Sequence, residues 1–594
     1  MRKTLLIMLL GLGLIGCLNG NGGNNPPTPQ PTPPPAPIPQ PPQPPIVTPQ
    51  PPIVTPQPPA PIPQPPQPPI IPPVTPIASS TLAIVDTNVF TLFTKPAPHQ
   101  DYYVAQIKGA SDTNDGLAPI KTGTHGPWLT LNKAAWKVIA GDIVHVGSGV
   151  YAETITVVNN GTALTPIRFY AMENTHPQVQ SIYLKGSHYL EFYGFTVVGT
   201  KVLPSNWIEM PTVLIDDSSV GAISPNGAWS VRQPLINKKY ATYTHIVQNI
   251  LEGPNYSAFS AGIWLHGCDH IAISSNTISL HTAGIDADNS SSQLVIDNNA
   301  VFHCESGISS NNSGYSDSVV THNHCYQNFN SGINLSSSQR ITVFRNLCEY
   351  NALSQFTVSN NSSNCLLQHN VGQYGGYYTE TMPFPGSSTF DFYSVGPGNV
   401  ADSNYAAFQH DVTGNDGNGF IADTSSNPVK FTNNIAYYNW GGGITFTLTQ
   451  GNWAINNTLI GNGFNGVPTS SGGGIKYSTT GNTIINNIFL GNRNCGIHGN
   501  GSLSSQTVDY NLYSLEVPAI HDSYNAGVRV FQTAKDVAKT GQEIHGISAN
   551  PLLNNFTPQL LSPAIAAANS QTAPSTDYYG KSRHSIPDLG AVEH

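Results

Sequence analysis

The chain has 594 residues, more than one ordinary core needs, so length implies either several domains or one elongated repeat. Only 9% of the residues are charged, against roughly 25% in an average globular domain, which excludes a salt-bridged helical bundle or coiled coil. A net charge of -10 with 23 Lys plus Arg excludes the concentrated basic surface that nucleic acid requires, and leaves neutral ligands, or acidic ones held through a metal.

The first element in the chain reads as an export signal over residues 1–17. Arg2 and Lys3 form a positive end, Leu5 to Ile15 an apolar run too short to span a bilayer, and a small residue precedes Cys17. The stretch Leu14-Ile15-Gly16-Cys17 resembles a bacterial lipobox, with Ile15 standing where a small residue is usual. That resemblance implies lipidation of Cys17, and Leu18 in place of an Asp after it implies an outer-membrane or cell-surface position rather than retention at the inner membrane. Residues 18–78 form a linker: 28 of the 50 prolines lie between Pro26 and Pro76, and Ala36 to Ile46 recurs as Ala60 to Ile70. Such sequence has nothing to bury, and predicts polyproline II at about 3.1 Å per residue, a semi-rigid stalk.

Residues 99–150 predict a cap for a repeating domain. Leu131, Ala134, Ala135 and Val138 have helical spacing, and a helix laid across the first coil of a repeat would seal its open core. The next segment, 151–515, is rich in Gly, Asn, Ser, Thr, Ile and Val, the composition of a β structure with many turns. From about Thr244 an apolar residue, two residues and then Asn recur, at Asn249, Asn276, Asn299, Asn323, Asn346, Asn370, Asn404, Asn434, Asn457, Asn487 and Asn511. Between them Gly-Ile recurs at Gly262, Gly284, Gly307, Gly332, Gly443, Gly474 and Gly496. A period of 23 residues or a little more, with an inward Asn at a fixed bend, makes physical sense only if successive turns stack. Strands then pair in parallel about 4.8 Å apart, and each buried amide bonds the backbone and the amide of the next coil. The fold class expected is therefore all-β, a single right-handed parallel β-helix with an N-terminal capping helix, closed by a C-terminal segment over 516–594. Cys325 and Cys348 hold the same place in adjacent repeats and should stack in the core as small hydrophobes. An exported protein permits a disulfide between them, but in-line parallel stacking suits the required torsion poorly.

These repeats, with Tyr102 to Ala105, Ser111 to Gly116, Pro127 to Ala135 and Gly149 to Glu153 at one end, and Gly541 to Leu552, Ser562 to Ile565 and Asp588 to Glu593 at the other, resemble the pectate-lyase-like β-helix superfamily over roughly residues 100–594. The resemblance implies a carbohydrate-active protein of the cell exterior. Its reactions do not carry over motif by motif. The several-Asp calcium constellation of the pectate lyases, the Asp-Pro-His-Asp motif of the alginate epimerases and the polygalacturonase set are not found, and Ala566 and Ala568 replace the usual Asp and Gly near the end.

Strand alternation points the residues one and three beyond each Gly-Ile pair outward, as a polar ladder suited to sugar hydroxyls. Its densest part holds Trp264 and His266 on one coil and Asp286 and Asp288 on the next, with His281, His303 and Glu305 in the turns leading in. His beside a carboxylate is a proton-transfer pair, Trp264 a platform for a sugar ring, and Asp286 with Asp288 a pair of oxygen ligands for Ca²⁺. Asn311, Asn334 and Tyr393 are further sugar contacts expected on this ladder. A second cluster comprises Asp391, Asp423, Lys476 and His498; the resemblance implies for Lys476 the role of the base that removes the C5 proton of a uronic acid. The insertion Gly372 to Gly398, with Tyr374, Tyr377, Tyr378, Phe384 and Phe390, is expected to overhang the face. The sequence thus supports a surface-anchored, monomeric lyase, epimerase or hydrolase of a polysaccharide, without a cofactor beyond Ca²⁺. The alternative is a non-catalytic glycan-binding or adhesive lipoprotein.

Overall fold

The computed structural model describes residues 100–594 apart from 186, 199–212, 217–241, 248, 253–260, 311–312, 377–385, 412–415, 464–471 and 524–526. The export signal with Cys17, the proline-rich linker, Asn311, and Tyr377, Tyr378 and Phe384 of the insertion lie outside the described residues.

The helix falls where the apolar spacing puts it, at Leu131–Lys137. Thr130 caps its N-terminus by accepting from the Lys133 N–H, and the Glu153 carboxylate accepts from the N–H groups of Leu131 and Asn132, both at 3.0 Å, so orphan donors of the first turn are satisfied from the adjoining strand. Leu131, Ala134, Ala135 and Val138 are fully buried against the first coil.

The coils contribute three short strands each, as in Val295–Asp297, Ala300–Phe302 and Ser306–Ser309, and these pair in parallel with their counterparts one coil on. The bend between the first two strands is made by one left-handed residue immediately before the ladder Asn: Asn298, His322, Arg345 and His369 all have φ between 50° and 55°. A left-handed non-glycine residue costs roughly 1–2 kcal/mol, and the Asn after it offsets that cost. In Asn346, for example, Nδ2 donates to the Val320 carbonyl (2.8 Å) and to Asn370 Oδ1 (3.0 Å), while Oδ1 accepts from both N–H groups of Asn323 at 2.9 and 3.0 Å. The ladder runs unbroken from Asn249 to Asn511 and ends on a carboxylate, with Asn511 Nδ2 donating to Glu543 Oε1 at 2.7 Å. Two further corners also stack amides, one through Gln409, Asn439, Asn462 and Asn492 and one through Asn452, Asn482 and Gln506. The first lies five residues beyond the ladder Asn of its coil and the second five residues before it, as in Asn452, Asn457 and Asn462.

The core is the column of inward side chains, with Phe356, Phe390 and Phe420 stacked at centroid distances of 4.6 and 4.8 Å. The recurrent glycines are required by close approach: a Cβ on Gly307 would stand 2.3 Å from the Gly332 carbonyl oxygen one coil away. Cys325 and Cys348 are in register in the core as free thiols.

Residues 550–594 run back along the outside of the second strand series. Gly590 N–H donates to the Asn486 carbonyl at 2.8 Å and Arg583 reaches Asn433 Oδ1 at 2.7 Å. This segment buries Phe556, Tyr578, Ala564 and Leu589 against the outward faces of Tyr405, Ile435, Ile488 and Leu512, so that face of the coil is apolar and covered.

Candidate functional site

The third strand series carries the outward ladder, and its register aligns one column through Trp264, Asp286, Ser309, Asn334, Thr357, Asp391, Ile421, Thr445, Lys476, His498 and His521. A parallel column two residues on pairs His266 with Asp288, and later Ser336, Ser359, Tyr393, Asp423 and Thr447. Inward neighbours such as Ile263, Leu265, Phe390 and Phe392 are fully buried, as alternation requires. Several outward residues are themselves sparingly exposed, Asp286 at 5%, Ile421 at 4% and His498 at 8%, whereas Tyr393 is 46% exposed. The chain beside the strands therefore walls them in; over Thr445, for instance, Asn418 accepts from the Thr hydroxyl at 2.8 Å.

At one end Trp264 packs edge-on to His266, with centroids 5.0 Å apart, and His266 Nδ1 bonds Asp288 Oδ1 at 2.6 Å. Trp264, His266, Asp286 and Asp288 are thus brought together. Since Asp288 is already engaged by His266, the Asp286/Asp288 pair is a poorer cation site than its spacing implies. The residues of the approaching turns separate from the group. His281 is fully buried at the inward corner that Cys304, Asn328 and Asn351 occupy in later coils, and burial lowers its pKa to about 4, the form of a neutral core imidazole. His303 lies exposed outside that corner and bonds Gln327 Oε1 at 3.2 Å, and Glu305 is exposed ahead of Ser306–Ser309. The expected aromatic overhang is corrected in two residues. Phe390 precedes an outward Asp and so points into the core, while Tyr374 stacks between Tyr350 and Phe408 on another face of the coil.

The second cluster lies elsewhere along the column. From Asp286 to Asp391 is four coils, about 19 Å, and to Lys476 seven coils, about 34 Å, so Lys476 does not share a reaction centre with His266, Asp286 and Asp288. Lys476 belongs instead with an acidic group. Burial pushes the Asp391 carboxyl up to about 8, reinforced by Asp416 and Asp423. Asp416 is raised to about 6 by burial and by Asp411 and Asp423, with Lys476 opposing. Burial also raises Asp423, against a hydrogen bond of 2.7 Å from the Thr424 hydroxyl. Lys476 is lowered by burial, with Asp416 holding it up, and His498 is lowered by burial and by His521. Near neutral pH the cluster therefore offers a protonated carboxyl, Asp391, beside Asp416, which ionises at lower pH. That is a proton donor and an acceptor within one site.

Sequence reasoning missed Asp411, Asp416 and His521. Asp411 and Asp416 sit in the turn ahead of Phe420–Asp423, where the Asp411 carboxylate accepts from the Asp416 N–H at 2.7 Å. The lengthened Asn404 to Asn434 period was their signal. His521 escaped because Ala519-Ile520 replaces Gly-Ile on its coil.

Two family profiles match the chain. Residues 197–371 match one described as periplasmic copper-binding protein (NosD), and residues 391–543 match the right-handed β-helix region. The parallel stacking of the coils is that of a right-handed β-helix, as the match over residues 391–543 also has it. No curated protein matches it. Among solved structures it is similar to XylC bound to xylose, at 11% identity over 83% of this chain and 98% of that one, with a TM-score of 0.37. It is similar also to the pectate lyase Pel9A, at 15% identity over 84% and 97% with a TM-score of 0.30. A lacto-N-biosidase from Eubacterium ramulus shares 14% identity over 76% and 68%, with a TM-score of 0.35. At these values the likeness is one of coil repeat, and it carries no substrate.

Proposed function

We propose that the chain is an exported, Cys17-anchored protein that binds a polysaccharide along the outward column and hydrolyses a glycosidic bond at Asp391, Asp416 and Asp423. The observation that carries this reading is the raised Asp391 carboxyl among other acids on one face of the stacked coils. Asp391 would protonate the leaving oxygen, and Asp416 or Asp423 would act as base or nucleophile. Hydrolysis of a neutral glycan suits the site better than attack on a uronic acid, because Asp411, Asp416 and Asp423 would repel the uronate carboxylate and Lys476 is the single lysine or arginine among the described residues of the group. Tyr393, the register partner of Asp423, would contact the sugar at the acids, and Trp264, His266, Asp286 and Asp288, with Asn334, would hold more distant sugar units. The periplasmic description of the family matched by residues 197–371 supports export.

The test is release of reducing ends from a panel of neutral and acidic polysaccharides, with unsaturated uronates followed in parallel. Asp391→Asn should cut kcat about 100-fold or more while the thermal midpoint at pH 6 holds. Activity untouched by Asp391→Asn and Asp423→Asn would sink the assignment, and glycan binding without turnover would leave the adhesive alternative standing.

A further inference from the structure

Outside the acidic group, the column ends in a cluster of different chemistry. Cys495, His498 and His521 bring one sulfur and two imidazole nitrogens all within 4.8 Å of one another. Cys495 lies fully buried at the corner before Ile497–Gly499, and His498 and His521 are register partners on adjacent coils with ring centroids 5.2 Å apart. The tautomer of His498 is fixed by its surroundings. Asn500 Oδ1, an acceptor, sits 3.0 Å from Nε2, so the proton is on Nε2 and the lone pair on Nδ1. That Nδ1 is buried and has no hydrogen-bond partner, in a residue only 8% exposed. A buried acceptor left unbonded is costly, and an outer residue that orients a histidine by its other nitrogen is the usual support of a metal ligand.

We infer that Cys495 Sγ, His498 Nδ1 and a ring nitrogen of His521 form a binding site for a soft d¹⁰ cation, Cu(I) in preference to Zn(II). On binding, the Cys495 S–H bond breaks, its proton passes to solvent and an S–Cu bond forms, while the two imidazoles donate lone pairs; no electron is transferred. The thiolate selects a soft metal. One thiolate and two neutral imidazoles make a neutral centre with Cu(I), whereas Zn(II) would leave a net positive charge beside Lys476, the register partner of His498 on the preceding coil. The partly exposed His521 gives the ion a way in from solvent. This site is not inherited from the copper-binding family description, whose match ends at residue 371. Among the described residues of that matched segment, no three metal-ligating side chains converge.

The experiment is anaerobic titration of the full chain with Cu(I) buffered by a chromogenic chelator, and separately with Zn(II), following stoichiometry and thermal midpoint. One Cu(I) per chain and a raised midpoint are expected. Cys495→Ser should weaken binding by more than about 100-fold and Asn500→Ala by about 10-fold or more. Asn500 is exposed, so its variant keeps the test open if Cys495→Ser folds poorly. Binding that survives both substitutions, that is lost instead on His584→Ala at the separate His584, Asp588 and His594 group, or that Zn(II) displaces at equal concentration, would overturn the proposal.

Discussion

Asp391 and Glu543, both raised by burial, differ in what surrounds them. Asp391 faces other acids and a lysine on an outward column, the setting of a group that exchanges protons with a ligand. Glu543 is 1% exposed at the end of the Asn ladder, bonded by Asn511 and by the Tyr513 hydroxyl, and burial lifts it to about 7. Its folded pKa lies above the ordinary 4.5, so its favourable contribution is complete below pH 4.5 and is lost as pH rises through 7. The shift corresponds to a loss on the order of 3 kcal/mol. Glu543→Gln keeps an acceptor for Asn511 without the charge, so the variant should unfold at higher denaturant than the parent at pH 8 and at a similar concentration at pH 4. Parallel pH profiles of denaturation midpoint for the two proteins would contradict this account.

At the scale of the element, the strand-bend-strand unit with its Asn is what the sequence displays most openly. The reason is that one amide must meet the backbone, the coil before and the coil after, so no other residue type replaces it along the ladder. Asn346→Ala would orphan both Asn323 donors and the Val320 carbonyl, at roughly 1–3 kcal/mol for each buried group. Chemical denaturation should show a loss of about 3 kcal/mol or more, and a loss below about 1 kcal/mol would mean that the coils relax around the gap. The other two amide corners stand five residues before and five after the ladder Asn, and are harder to read because the same positions hold Gln or Cys on other coils, as at Cys304 and Cys365. The candidate site was legible in the same uneven way. Residues carried on strands, such as Asp391, Asp423, Lys476 and His498, can be read from alternation and register alone. Asp411 and Asp416 come from a turn, whose path depends on what it packs against, and His281 was misplaced because a corner residue can face either side of the backbone.

At the scale of the whole coiled domain, stacking in parallel leaves the outer face of each strand series to be dealt with separately. One is polar and walled, and carries the candidate site; another is apolar and needs cover. Tyr405, Ile435, Ile488 and Leu512 point outward from the second strand series, and alternation alone would make them an exposed hydrophobic stripe of the kind that drives association. The sequence of residues 550–594 gives no periodic hint that it lies along this stripe, because its polar contacts are scattered hydrogen bonds to Asn433, Thr458 and Asn486 on different coils. A chain stopped before Asn550 keeps every coil and the full Asn ladder with Glu543, so it should still fold its strands. It should also bind a hydrophobic dye, associate with itself and melt several degrees lower, since burial of this stripe contributes about 25 cal/mol per Å². Because the acidic column belongs to the third series, glycan turnover per folded molecule should be retained. A truncated chain that stays monomeric and dye-free would mean the segment does not shield the stripe, whereas lost turnover with strands intact would tie it to the site itself.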